Sequence, residues 1–142
     1  MNQTIIFTDV DGVLNQLQRN YFIDIDCVEI LSELCKKLNA KIVLSSTWRL
    51  GYSNCGKSSP QVEKLKKIFE MHNIELIGRT PKLDDRGEEI IKYIESHNIS
   101  RYLILDDDKR EFPTIIPKNT YFTNSKYGLT KNDMNEILKL MK

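Results

Sequence analysis

The chain has 142 residues, the size of one ordinary domain, with 40% apolar and 29% charged residues, a balance that suits a folded soluble protein and argues against disorder. Lys and Arg number 21 against 20 Asp and Glu, a formal net charge of +1, so a strongly basic nucleic-acid footprint over the whole chain is excluded, though a local patch is not. No apolar run approaches the ~20 residues of a membrane span, and the opening Met1-Asn2-Gln3-Thr4 has neither the basic region nor the apolar stretch of a secretory leader.

In chain order, Ile5-Ile6-Phe7 within residues 4–9 makes a first short strand. Residues 26–39 place Ile30, Leu31, Leu34, Cys35 and Leu38 on one face at the i, i+3, i+4 spacing of an amphipathic helix. Asp26 and Glu29 have the spacing of an N-cap and an acidic third residue. Ile42-Val43-Leu44 makes a second strand over 41–45. Ser59-Pro60 then opens a helix whose buried stripe is Val62, Leu65, Ile68 and Phe69. Residues 74–77 form a third strand, stopped by Gly78. Asp84 or Asp85 caps a helix to about His97 with Ile90, Ile91 and Ile94 inward, and Leu103-Ile104-Leu105 in 102–106 is a fourth strand. The two prolines in 112–117 mark a loop, and 120–123 is a fifth, weaker strand. Thr130 and Asp133 are spaced as a capping box before a last helix carrying Met134, Ile137, Leu138 and Met141.

This alternation predicts an α/β protein: a three-layer α/β/α, Rossmann-like fold on a mainly parallel five-stranded sheet, in a single domain over 1–142. The three cysteines, Cys27, Cys35 and Cys55, have no CxxC spacing and an odd count, which is neither a disulfide framework nor a zinc site. Eight residues of helix between Cys27 and Cys35 span about 12 Å, beyond the ~7 Å reach of a disulfide. All three are expected to be small buried hydrophobes in a cytoplasmic protein. His72 and His97 fall near helix C-termini, where their placement is favourable for the fold alone.

Sites on parallel sheets lie beyond the carboxyl ends of the strands. Here the first strand ends in Asp9-Val10-Asp11-Gly12-Val13-Leu14-Asn15, the second in Ser45-Ser46-Thr47-Trp48-Arg49, and the fourth in Asp106-Asp107-Asp108. Carboxylates gathered at one edge repel unless a cation neutralises them. Oxygen donors without His or Cys point to a hard ion, Mg²⁺ before others. An EF-hand does not fit, because Gly12 is the fourth residue counted from Asp9 and not the sixth.

These strand ends resemble the haloacid dehalogenase-like (HAD) phosphohydrolase superfamily over nearly the whole chain. The resemblance implies Asp9 as a nucleophile that takes up the phosphoryl group, and Asp11 as the acid that protonates the leaving oxygen and later activates water. It implies Ser45, with the Ser46 main chain, as phosphate ligands. It implies Mg²⁺ held by Asp9, the Asp11 carbonyl and Asp107, with Asp106 in support. A cation must balance this charge, and either Arg86 or Lys82 stands in the right stretch. The strings DVDGVLN, IVLSSTWR, RGEEI, LILDDD and Gly128-Leu129-Thr130 are more specific. They are similar to the small HAD domains of Swiss Army Knife RNA repair proteins, which implies a phosphorylated nucleic acid or nucleotide as partner. Only 33 residues separate Asp11 from Ser45, so no large cap domain fits, and Trp48 and Arg49 are placed to stack on a base and hold a phosphate.

Blander readings stand beside these. Trp48 can pack under a loop, Arg49 can be a solvated charge, Ser46 can cap a helix, and the fold can serve as a non-catalytic phosphate- or nucleic-acid-binding module. Gly51-Tyr52-Ser53-Asn54-Cys55-Gly56-Lys57-Ser58 also matches the P-loop pattern of nucleotide binders. Its context is wrong, since four residues intervene between Ser46 and Gly51 and Pro60 restarts the helix beyond it.

Overall fold

A computed structural model describes residues 3–17, 22–53 and 55–142; Met1, Asn2 and Asn54 of the segments weighed above lie outside the described residues. The elements run β1 (Thr4–Thr8), α1 (Ile25–Leu38), β2 (Ala40–Leu44), α2 (Pro60–Met71), β3 (Leu76–Arg79), α3 (Arg86–Ser96), β4 (Tyr102–Asp106), β5 (Thr120–Phe122) and α4 (Lys131–Leu140). Short 3-10 turns at Thr47–Gly51 and Lys109–Glu111 follow β2 and β4. The strands form one sheet in the order β3-β2-β1-β4-β5, and every neighbouring pair is parallel.

Period-two alternation along the strands separates the two faces of the sheet. Ile6, Ile42, Leu44, Leu103 and Leu105 pack with α1, α2 and α4. Ile5, Phe7, Val43 and Ile104 meet Ile90 and Tyr93 of α3 together with Phe112. On the thinner side Phe7 stands edge-on to Tyr93, with centroids 5.6 Å apart. Leu31, Leu65 and Phe69 are almost wholly buried, each contributing about 1.5–3 kcal/mol by leaving water.

Local chemistry sets most helix ends. Ser59 caps α2 ahead of Pro60, Asp85 caps α3 by accepting from Gly87 and Glu88, and Thr130 and Asp133 make the expected capping box of α4. The cap of α1 differs from the expectation: Asp24 accepts from the Asp26 N–H, which places Asp26 inside the first turn. The buried stripe correspondingly begins at Cys27 and Val28. β3 also differs, starting two residues late and running through Gly78 to Arg79. Asn73, at φ 58°, first turns the chain out of α2. A Cβ on Gly78 would lie 2.8 Å from the Tyr93 hydroxyl, so this glycine admits Tyr93 against the strand instead of ending it.

Cys27 and Cys35 are buried and Cys55 is exposed, contrary to the expectation for the third. Burial pushes the Cys27 thiol up to about 11 and the Cys35 thiol to about 12. His72 and His97 each cap a helix C-terminus, with Nδ1 2.9 Å from the Ile68 carbonyl and 3.0 Å from the Tyr93 carbonyl respectively. No helix among the described residues is long and apolar enough to cross a membrane.

Candidate active site

β1 sits in the middle of the sheet, with β2 on one side and β4 on the other. Register aligns Thr8 with Leu44 and with Leu105. The next residue of each strand line, Asp9, Ser45 and Asp106, therefore stands side by side at the point where the strand order reverses. The backbone continues the ladder there: Asp9 N–H donates to the Leu105 carbonyl at 2.9 Å and Ser45 N–H to the Thr8 carbonyl at 3.1 Å.

Asp9, Asp106 and Asp107 each bring a carboxylate oxygen within 4.8 Å of the others. Asp9 Oδ1 accepts from the Val10 N–H at 2.9 Å. Asp106 is fully engaged: Oδ1 accepts from the N–H groups of Asp107 and Asp108, and Oδ2 from Arg86 Nη1 at 2.8 Å. The same Nη1 lies 3.6 Å from Asp9 Oδ2, and Nη2 lies 3.8 Å from Glu111 Oε2. The structure thus brings Arg86, buried at the start of α3, to the acids, and leaves Lys82 exposed on the preceding loop. One guanidinium does not balance three carboxylates. Burial, then the Asp106 carboxylate, hold the Asp9 carboxyl well above its ordinary range against the opposing pull of Arg86. Burial likewise raises Asp106, with Arg86 opposing. On Arg86 itself burial is outweighed by Asp106 and Asp9, and the guanidinium stays charged.

Two features fit a bound cation and its anionic ligand. The three all-oxygen donors are crowded enough for a hard divalent ion, whose octahedron at about 2.0–2.1 Å puts ligand oxygens about 3–4 Å apart. The Ser45 hydroxyl is fully buried and has no hydrogen-bond partner, a state that costs about 1–3 kcal/mol unless a ligand satisfies it.

Gly12 packs the turn after β1 against these acids. Its φ is +80°, and a Cβ there would lie 2.1 Å from Asp107 Oδ2, so both the conformation and the approach require glycine. Thr123, just past β5, fixes the same turn by donating its hydroxyl to the Gly12 carbonyl at 2.8 Å.

Asp11 is exposed and stands outside the carboxylate cluster. Its Oδ1 accepts from Asn15 Nδ2 at 2.9 Å and its Oδ2 from the Trp48 indole N–H at 3.2 Å. Trp48 is buried, with its ring against Phe22 at 5.0 Å between centroids. The packed position replaces the expected stacking surface for a base. Ser46 caps the 3-10 turn, its hydroxyl accepting from the Trp48 N–H at 2.9 Å. Arg49 is not solvated, and its Nε has no hydrogen-bond partner. It is buried, with Nη1 on the Ser46 carbonyl at 2.8 Å and Nη2 on Glu89 at 2.7 Å.

Thr123 and Glu111 carry no signal of their own in the sequence, and Asn15 and Glu89 stand inside the strings DVDGVLN and RGEEI without a role read for them. The P-loop reading fails here: Ser58 Oγ accepts from the Ser53 N–H, the Ser58 N–H donates to Glu63, and α2 begins only after Ser59. Between the strand ends of the site stand only α1 with β2, then the 3-10 turn, α2 and β3, so no inserted cap domain covers it among the described residues.

Residues 5–134 match a family model described as the HAD domain in Swiss Army Knife RNA repair proteins. No curated protein matches the chain.

Proposed function

The chain therefore belongs to that HAD family, and from this premise we propose that it is a Mg²⁺-dependent phosphohydrolase acting on phosphomonoesters at nucleic-acid ends or on nucleotides. The observation that carries the reading is the clustering of Asp9, Asp106 and Asp107 carboxylates, the first two against the Arg86 guanidinium, beside the unpartnered Ser45 hydroxyl. A site with excess buried negative charge and a spare buried donor is suited to a divalent cation and a phosphoryl group.

In this reading Asp9 attacks phosphorus as its bond to the leaving oxygen breaks, giving an aspartyl phosphate. Asp11 transfers its proton to that oxygen, and the product alcohol departs. Asp11, now a carboxylate, takes a proton from water as the water attacks phosphorus; the Asp9–phosphorus bond breaks and inorganic phosphate leaves. Ser45 and the Ser46 main chain hold phosphoryl oxygens, and Arg86 offsets the charge on Asp9 and Asp106. Mg²⁺, held by Asp9, Asp107 and the Asp11 carbonyl, would supply the Lewis acidity that lets an anionic nucleophile approach an anionic phosphate. The exposed Asp11 and the uncovered strand ends support a bulky substrate such as a polynucleotide end.

The test is release of inorganic phosphate from p-nitrophenyl phosphate and from 3′- and 5′-phosphorylated oligonucleotides, in Mg²⁺ and in EDTA. Wild type is expected to release phosphate only with Mg²⁺, and Asp9→Asn not at all. Saturable oligonucleotide binding with no release from any substrate would replace this reading with a binding module.

A further inference from the structure

We infer that Trp48 and Asn15 are positioning residues for Asp11: each binds one carboxylate oxygen through a neutral N–H, and together they aim the acid at the leaving group. The inference rests on the phosphohydrolase reading and extends it to how the acid is held. An exposed aspartate on a turn after a strand is ordinarily free to rotate. Here both oxygens are tied, one from a residue four positions on and one from a residue 37 positions on. Each carboxylate oxygen has two lone pairs, so one N–H per oxygen sets the orientation and leaves room for the proton to be transferred.

The two donors are themselves held. Asn15 is buried; its Oδ1 accepts from the Gly12 N–H at 2.9 Å, and its Nδ2 also reaches the Phe22 carbonyl at 3.2 Å. The Gly12 N–H can only donate, which assigns the amide orientation and points Nδ2 at Asp11. The Trp48 ring is packed against Phe22, over which the Lys64 ammonium also lies, 5.0 Å from the ring centroid. The Trp48 backbone is pinned by the Ser46 hydroxyl. Asp11 is thereby coupled to the end of β2, where the phosphate ligands Ser45 and Ser46 stand.

The leaving group distinguishes positioning from packing. A p-nitrophenolate departs with little help from a proton, whereas an alkoxide such as a ribose hydroxyl needs one. Trp48→Phe keeps an aromatic ring and removes the N–H. It should lower kcat on an alkyl phosphomonoester by about ten- to a hundred-fold, in line with small misplacements of reacting groups. On p-nitrophenyl phosphate the loss should be several-fold smaller, with KM changed by about two-fold or less in both cases. In an Asp11→Asn background, Trp48→Phe should add no further loss. Equal losses on the two substrates, or additive losses in the double variant, overturn the inference.

A readout independent of activity is available because Trp48 is the only tryptophan in the chain. Its indole N–H gives a single cross-peak in a nitrogen–proton correlation spectrum. That peak should move on Asp11→Ala; an unmoved peak also overturns the inference, whether or not Trp48→Phe folds. A wild type inert toward both phosphates removes the phosphohydrolase reading and this one with it. An active wild type with equal losses removes this one alone.

Discussion

Two buried ionic groups lie at the same end of the sheet and differ in their balance. Arg49 and Glu89 form a closed pair: the guanidinium meets Glu89 at 2.7 Å and the Ser46 carbonyl at 2.8 Å, and the same Glu89 oxygen accepts from the Leu83 N–H at 2.7 Å. Asp9, Asp106 and Asp107 cluster together, and only the first two of them meet the guanidinium of Arg86. The closed pair ties the turn after β2 to α3 and the loop before it. The open cluster keeps uncompensated charge; burial first, and then the Asp106 carboxylate, raise the carboxyl of Asp9. Charge balance thus separates a buried pair that maintains the fold from one suited to receive a cation.

The largest expected effect attacks the open cluster. Asp9→Asn should lower turnover by about a thousand-fold or more, as loss of a covalent nucleophile does, while raising the melting temperature of the metal-free protein by a few degrees. The stabilising sign follows from linkage. The folded protein keeps the Asp9 proton to a higher pH than the unfolded chain, whose value lies near 3.8. The group therefore favours folding below that value, and the contribution is lost as pH rises through the folded value. Melts of metal-free wild type and variant should diverge as the pH climbs toward neutrality; parallel curves would break the comparison.

The closed pair should respond in the opposite sense. Glu89→Gln leaves Arg49 buried without its partner, which costs about 3–5 kcal/mol, read from urea unfolding. A stability near wild type would show that the pair is not closed.

Saturating Mg²⁺ sharpens the contrast next. At a hundred times its Kd it should stabilise wild type by about 2.7 kcal/mol, visible in thermal melts. Asp107→Asn should lose most of that gain while keeping the metal-free stability, because the Asp106 carboxylate and not Asp107 carries the bonds to Arg86 and to the turn.

Gly12→Ala perturbs the cluster through the backbone and not through a charge. It forces a side chain into φ +80° and against Asp107, at about 1–3 kcal/mol. Its Mg²⁺-dependent stabilisation should fall further than that of any neutral surface substitution, measured in the same melts.

Much of this molecule is legible in its sequence. The helix starts at Ser59 and Thr130 are readable, and that of α3 to within Asp84 or Asp85, because capping is a contact between residues two to three apart. The exception, Asp24 in place of Asp26, arose because both aspartates can cap and only the path of the chain from Phe22 decides. The edge strand β3 was misplaced because Ile74 is apolar but sits in the turn after α2, and because Gly78 answers to Tyr93, 15 positions away. Strand-end acids were readable as a pattern of charge that a folded chain does not gather without use.

Local sequence carries the alternation of strands and helices, the carboxylates at the ends of β1 and β4, and the hydroxyl at the end of β2. Each follows from periodicity or from neighbours along the chain. Packing of the folded chain brings Arg86 and not Lys82 to the acids, turns Arg49 to Glu89, and sets the Trp48 indole against Asp11. Those outcomes depend on distances of a few ångströms between residues 20 to 40 positions apart. Such distances are set by strand register and helix packing, to which the type of a residue is no guide.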